Sequence, residues 1–222
     1  MLLEIPSIPI RSSVKYIELI SAIVGTIYFY KYKHTFLKYF LVILWYTAVN
    51  EFTCYFLRKY GIVANNLIIY NIFHLINFSF LFLLFNRFLK VEKHKRLTSV
   101  FLLIYVSSFF MNMIFENYLE RVQTIPFFIA AILLIVSIVF YFSKLLKSNE
   151  VLSVKTNLLF WISVGYLLYL SGNLPIRVIR NYYLEEVRLE YILEFSSILS
   201  IILNICFIIG FICGKKDKQQ QY

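Results

Sequence analysis

Seven runs of mostly apolar residues, each about twenty long, recur along the chain. They lie at Val14–Tyr32, Phe36–Leu57, Ala64–Phe88, Leu97–Phe115, Gln123–Phe142, Thr156–Asn173 and Tyr191–Cys213. At roughly 1.5 Å per residue, a helix of that length crosses a hydrocarbon layer about 30 Å thick. The runs lack the ten-residue alternation of barrel strands, so helices that satisfy their own backbone hydrogen bonds are the expected form. Composition agrees: 60% of the 222 residues are hydrophobic and only 15% charged, whereas a soluble domain carries about 25% charged residues. The expected fold is all-α, a polytopic transmembrane bundle of seven spans forming one domain over residues 1–222, with a short cytoplasmic tail at 214–222. The first apolar run has no small-residue cleavage pattern after it, so it is expected to be a retained span rather than a signal peptide.

Charge sets the expected orientation. Of the 22 Lys and Arg, 14 fall in the tail and the loops after spans one, three and five, and eight on the other side. Cations accumulate on the cytoplasmic side, so the amino terminus should face out and the carboxyl terminus in, across the cytoplasmic membrane of the cell. The net charge of +10 then reflects anchoring to the anionic headgroups of the lipid bilayer; no nucleic-acid-binding module accompanies it.

Intramembrane polar residues gather toward the predicted outer half. Span one carries Glu18 and Ser21. Span two presents Thr47, Glu51, Cys54 and Arg58 on one face, with Asn50 adjacent. Span three places Tyr70, His74 and Asn77 on one face, with Asn71 beside them. The inner halves are plainer, Asn204 being the main exception. An ionisable group deep in a bilayer costs on the order of 3 kcal/mol and turns inward to a partner or water. Glu51 and Asn50 facing His74, Asn71, Asn77 and Tyr70, with Glu18 nearby, would form a polar cup open to the outside. The carboxylates at hand are Glu18, Glu51, Glu116 and Glu194, and Arg58 is the neighbouring cation, so a small polar or cationic ligand is expected. The competing reading is glue: Asn65, Asn66, Ser21, Ser196 and Ser197 are expected to stitch helices or sit at the interface, and Glu18 and Glu194 to lie near the membrane surface.

Pro175 is expected to end span six. Ile176, Ile179, Tyr183, Val187 and Tyr191 recur at helical spacing, so the segment Ile176 to Glu190 is expected to be an amphipathic helix that lies on the membrane or extends span seven.

Several chemistries lack their residues. The single Asp, Asp217, lies in the tail, which removes aspartyl proteolysis. No His-Glu-x-x-His zinc motif, Gly-x-Ser-x-Gly elbow or Gly-rich phosphate loop occurs. Only His74 lies within a span, so paired haem ligation fails, and span seven has no Lys for a retinal Schiff base. Cys54, Cys206 and Cys213 show no metal spacing. No cofactor and no catalytic activity are expected.

Phe160, Trp161, Ile162, Gly165, Tyr169 and Gly172 give the pattern Phe-Trp-Ile-x-x-Gly-x-x-x-Tyr-x-x-Gly. With Asn50-Glu51 and Tyr70-Asn71, it resembles a group of uncharacterised bacterial seven-span integral membrane proteins. The resemblance implies the fold and no activity. The related pattern carries Glu where Asn77 stands, so no carboxylate role passes to that position. The expected function is a sensor or receptor-like module for a small polar solute, signalling through a separate cytoplasmic protein partner. A small-solute transporter and a non-catalytic scaffold are the alternatives.

Overall fold

The computed structural model describes residues 10–62, 65–115, 122–182 and 189–215. Among these residues there are seven α-helices: α1 (Ile10–Ile27), α2 (Lys38–Lys59), α3 (Leu67–Phe88), α4 (Glu92–Phe115), α5 (Thr124–Leu146), α6 (Leu158–Tyr182) and α7 (Leu189–Cys213). Six of them, α2 to α7, contain stretches long and apolar enough to cross a membrane. Helix α1 is shorter, at 18 residues, and carries Arg11, Lys15 and Glu18. The protein is thus a multi-pass helical membrane protein with six to seven apolar helices. Ile104, Phe110, Met111, Ile114 and Phe115 of α4 and Ile132 and Val139 of α5 are exposed, as residues facing lipid tails should be.

Neighbouring helices form a closed ring in the order α1, α2, α3, α5, α6, α7 and back to α1, while α4 packs outside it against α3 and α5. The seam between α6 and α7 owes its closeness to glycine. A Cβ on Gly165 would meet Leu203 at 3.0 Å and Cys206 at 3.1 Å, one on Gly172 would meet Leu199 at 2.5 Å, and one on Gly210 would meet Trp161 at 2.8 Å. Small residues let membrane helices approach closely enough for dispersion contacts to hold them. Gly165, Gly172 and Trp161 of the aromatic-glycine pattern are therefore packing residues of this seam.

Two expectations about chain path need correction. Span one does not run on to Tyr32: α1 ends at Ile27, and a 3-10 turn follows at Phe29–Lys31. There Lys31 Nζ donates to the carbonyls of Phe211 and Ile212 at 3.2 and 2.8 Å, placing a cation at the end of α7 where the carbonyls lack helical partners. Nor does Pro175 end span six. Helix α6 continues through it to Tyr182. Proline removes one i to i−4 hydrogen bond, which membrane helices tolerate when neighbouring groups compensate. The segment from Ile176 is therefore first a continuation of α6, and its last residues, from Leu189, begin α7; residues 183–188 lie outside the described ones, as do Glu116 and the tail beyond residue 215.

Candidate functional site

The ring encloses a cavity of about 390 Å³ lined by α1, α2, α3, α6 and α7, with Val122 and Phe127 from the α5 side. Its mouth lies at the end of the bundle where α1, α3, α5 and α7 begin. Arg11, Arg58, Val122 and Arg177 stand there, one from each of four chain segments. Ile43, Leu44, Phe78, Leu203 and Phe207 make the floor. Below them the packing is aromatic: Phe207 meets Phe40 edge-on at 5.0 Å between ring centroids and Tyr166 at 5.6 Å, and Phe40 meets Phe211 at 6.3 Å. Helix α4 supplies no lining residue.

Helical periodicity explains which residues line the wall. On α2, Thr47, Glu51 and Arg58 line the cavity, and on α3, Leu67, Tyr70, His74 and Asn77 do so, each set spaced by three, four or seven residues. Tyr70 donates its hydroxyl to Glu51 Oε2 at 3.3 Å, joining α3 to α2. Tyr166 on α6 donates to Asn77 Oδ1 at 3.3 Å. Arg177 Nη2 lies 3.4 Å from His74 Nε2, and its guanidinium sits 3.5 Å from the centre of the Phe127 ring, within range for a cation–π contact.

Glu18 departs from its expected surface position. It is 9% exposed and lines the cavity. Its Oε2 is buried with no hydrogen-bond partner among the described residues. Neither Glu18 nor Glu51 forms an ion pair among the described residues. Carboxylates thus come from α1 and α2, while Arg177 is held against α3 and α5 by His74 and Phe127. Glu18 and Glu51 share the cavity wall with Arg11, Arg58 and Arg177, which makes the chamber one of mixed charge.

Of the seven residues expected in the cup, Glu18, Glu51, Tyr70, His74 and Asn77 line it, and Asn50 and Asn71 do not. Each of the latter is one residue, about 100° of helix rotation, from a lining neighbour. Asn50 is buried beside the cavity, and Asn71 Oδ1 accepts the backbone N–H of Gln123 at 3.0 Å, fixing the start of α5. The hydrogen bonds of several other polar residues match the gluing role. Ser21 donates to Asn204 Oδ1 at 2.8 Å, Ser196 to Asn173 Oδ1 at 2.7 Å, and Asn66 Nδ2 to the Cys54 carbonyl at 2.7 Å.

Sequence reasoning missed Arg11, Arg177, Tyr166, Ser200 and Asn204 as wall residues. Arg58 is therefore not the sole cation at the cup. Pro175, two residues before Arg177, reads as a helix end in the sequence alone and hides Arg177. Continuing the α6 stripe Tyr166, Tyr169, Leu170 by seven residues reaches Arg177, and that signal was available. In comparisons with known proteins, no family model, curated protein or solved structure matches the chain.

Proposed function

We propose that the chain is a seven-span protein of the cytoplasmic membrane, amino terminus out and carboxyl terminus in, whose cup binds a small polar solute from outside. In this reading it acts as a non-catalytic sensor, passing occupancy to a separate protein partner through its inner loops. The observation that carries the reading is the buried Glu18 Oε2, without a hydrogen-bond partner among the described residues and facing a cavity of about 390 Å³. A buried acceptor left unmatched costs about 1–3 kcal/mol or more when charged. A solute bearing an ammonium or other donor group would remove that cost and bind between Glu18 and Glu51. Arg177 and His74 on the facing wall would receive its acceptor atoms.

Sensing is favoured over transport by the aromatic floor, since a transport path is polar in both halves or built from broken helices. The floor residues Ile43, Leu44, Phe78, Leu203 and Phe207 offer no coordinating group to a solute passing inward, and the polar side chains at that depth are engaged within the protein, Asn77 with Tyr166 and Asn204 with Ser21 and the Ser200 carbonyl. Pro175, the one proline within α6, lies at the mouth end of the helix.

The test is reconstitution of the full chain in liposomes with a thiol placed by Ser200→Cys, in a background of Cys54→Ser, Cys206→Ser and Cys213→Ser. A panel of small amines and amino acids is screened for protection of that thiol and for uptake. Protection without uptake, lost in Glu18→Gln, is the expected result. Uptake would establish transport instead. Loss of stability in Glu18→Gln with neither protection nor uptake in the parent would establish a scaffold.

A further inference from the structure

A second recess, of about 410 Å³, opens between the start of α1 and the end of α2. Arg11, Ser12, Lys15, Glu51, Cys54, Tyr55, Arg58, Lys59 and Tyr70 surround it. It adjoins the central cup through Arg11, Glu51, Arg58 and Tyr70, which line both. Four cations face a single carboxylate there, and the positive end of the α1 dipole adds to the same sign.

Lys15 is the telling residue. It is only 8% exposed, yet among the described residues its ammonium has aromatic rings for company. Nζ lies 3.2 Å from the centre of the Tyr55 ring and 5.2 Å from that of Tyr16. A ring face returns less than the hydration an ammonium loses on burial. The Tyr55 ring also fixes the ammonium at the recess wall. Lys59 approaches the same ring at 5.8 Å, so Tyr55 holds two cations near one point. Like charges gathered in this way raise one another's energy, and Glu51, the one carboxylate on the recess wall, offsets only one of the four.

We propose that the recess between α1 and α2 is a binding site for a phosphate-type anion, seated on Lys15, Arg11, Arg58 and Lys59. The chemistry is that of a phosphate in a group of net negative charge, for which Arg offers paired donors and Lys a point charge. An anionic phospholipid headgroup and a free phosphate share that chemistry, whereas the phosphate of a phosphatidylcholine headgroup is paired with its own choline cation. The site lies at the end of the apolar helices and shares Arg11, Glu51, Arg58 and Tyr70 with the wall of the central cup, whereas Lys15 and Lys59 line the recess and not the cup.

The experiment uses the full chain in nanodiscs and reads the thermal midpoint. Three conditions are compared: phosphatidylcholine alone, phosphatidylcholine with phosphatidylglycerol, and phosphatidylcholine with inorganic phosphate against chloride at equal ionic strength. In the parent chain the phosphate-type anion is expected to raise the midpoint by about 3 °C or more. The pair Lys15→Gln and Arg58→Gln should abolish the rise. Lys15→Arg should keep it, and so should Lys147→Gln, which removes a cation at the opposite end of the bundle. A rise with phosphatidylglycerol alone assigns the site to lipid, and a rise with inorganic phosphate as well assigns it to the free anion. No rise in either condition, or an equal rise in the Lys15→Gln/Arg58→Gln chain, overturns the proposal.

Discussion

Ser21 in α1 donates its hydroxyl to Asn204 Oδ1 in α7 at 2.8 Å, with Ser21 fully buried and Asn204 4% exposed. The bond closes the ring where the first and last helices meet. Asn204 also donates its amide to the Ser200 carbonyl at 2.9 Å, so its side chain is oriented from both ends. Interhelical hydrogen bonds in membranes are worth about 0.6 to 2 kcal/mol. Ser21→Ala should cost that much in reversible unfolding, and Asn204→Leu somewhat more, because Leu also projects a branched apolar end into the cup. A double-mutant cycle between the two positions should return a coupling energy in the same range; additivity of the two substitutions would show that the bond contributes nothing.

The α6–α7 seam depends on absent side chains. A Cβ at Gly172 would lie 2.5 Å from Leu199 Cδ1, and one at Gly210 would lie 2.8 Å from Trp161 Cβ. The leucine side chain has a flexible end that can move, whereas the Cβ of Trp161 moves only with its backbone. Gly210→Leu should therefore be the more damaging substitution, by about 1–3 kcal/mol or more, and Gly172→Ala the milder one. Thermal midpoints of the two variants in detergent check the order.

Arg177 should be sensitive to the loss of its ring. The guanidinium lies 3.5 Å from the Phe127 centroid, and a desolvated cation–π contact contributes about 2 kcal/mol. Phe127→Leu keeps an apolar side chain and removes the ring face. It should weaken any solute bound in the cup by about tenfold or more while changing stability less than Phe127→Ala, which also opens a void. Equal binding by parent and Phe127→Leu would show that the position of Arg177 is set elsewhere.

Orientation has its own test. Lys59→Cys, at the mouth end of α2, should react with a membrane-impermeant maleimide on intact cells, in the cysteine-free background. Lys147→Cys, past the end of α5, should react only after the cells are opened. The reverse pattern would place the cup inside and remove the reading of an external solute.

Much of this architecture was legible in the residues alone because a bilayer leaves few choices. Apolar length fixes the existence of α2 to α7, and period-3.6 stripes on α2 and α3 pick out Glu51, Tyr70, His74 and Asn77 as lining one surface. The structure departs from the sequence expectation where tertiary context overrides a local rule. Proline ends helices in water, yet in α6 the helix runs past Pro175 and carries Arg177 into the mouth. Depth is a poor guide to burial, so Glu18 near the start of α1 was expected at the surface when the neighbouring helices cover it. Asn50 and Asn71 are next to Glu51 and Tyr70 in the sequence, but a rotation of one residue takes both out of the cup wall, burying Asn50 and giving Asn71 to the start of α5. The recess beside Lys15 could not be read at all, since it needs the packing of α1 on α2 to bring Tyr55 over the ammonium.

In the proposed reading one chamber, reached from one face only, is closed by the packing of Phe40, Phe78, Phe207 and Phe211. The most direct measurement is labelling of Thr47→Cys on α2 and Ser200→Cys on α7, two wall positions, with a small charged thiosulfonate applied separately to right-side-out and inside-out vesicles. A cup closed on its inner side should react at both positions from the outer side and at neither from the inner side. Equal reaction from both sides would mean that the aromatic floor is no barrier, and reaction from neither would mean that no water-filled cup exists.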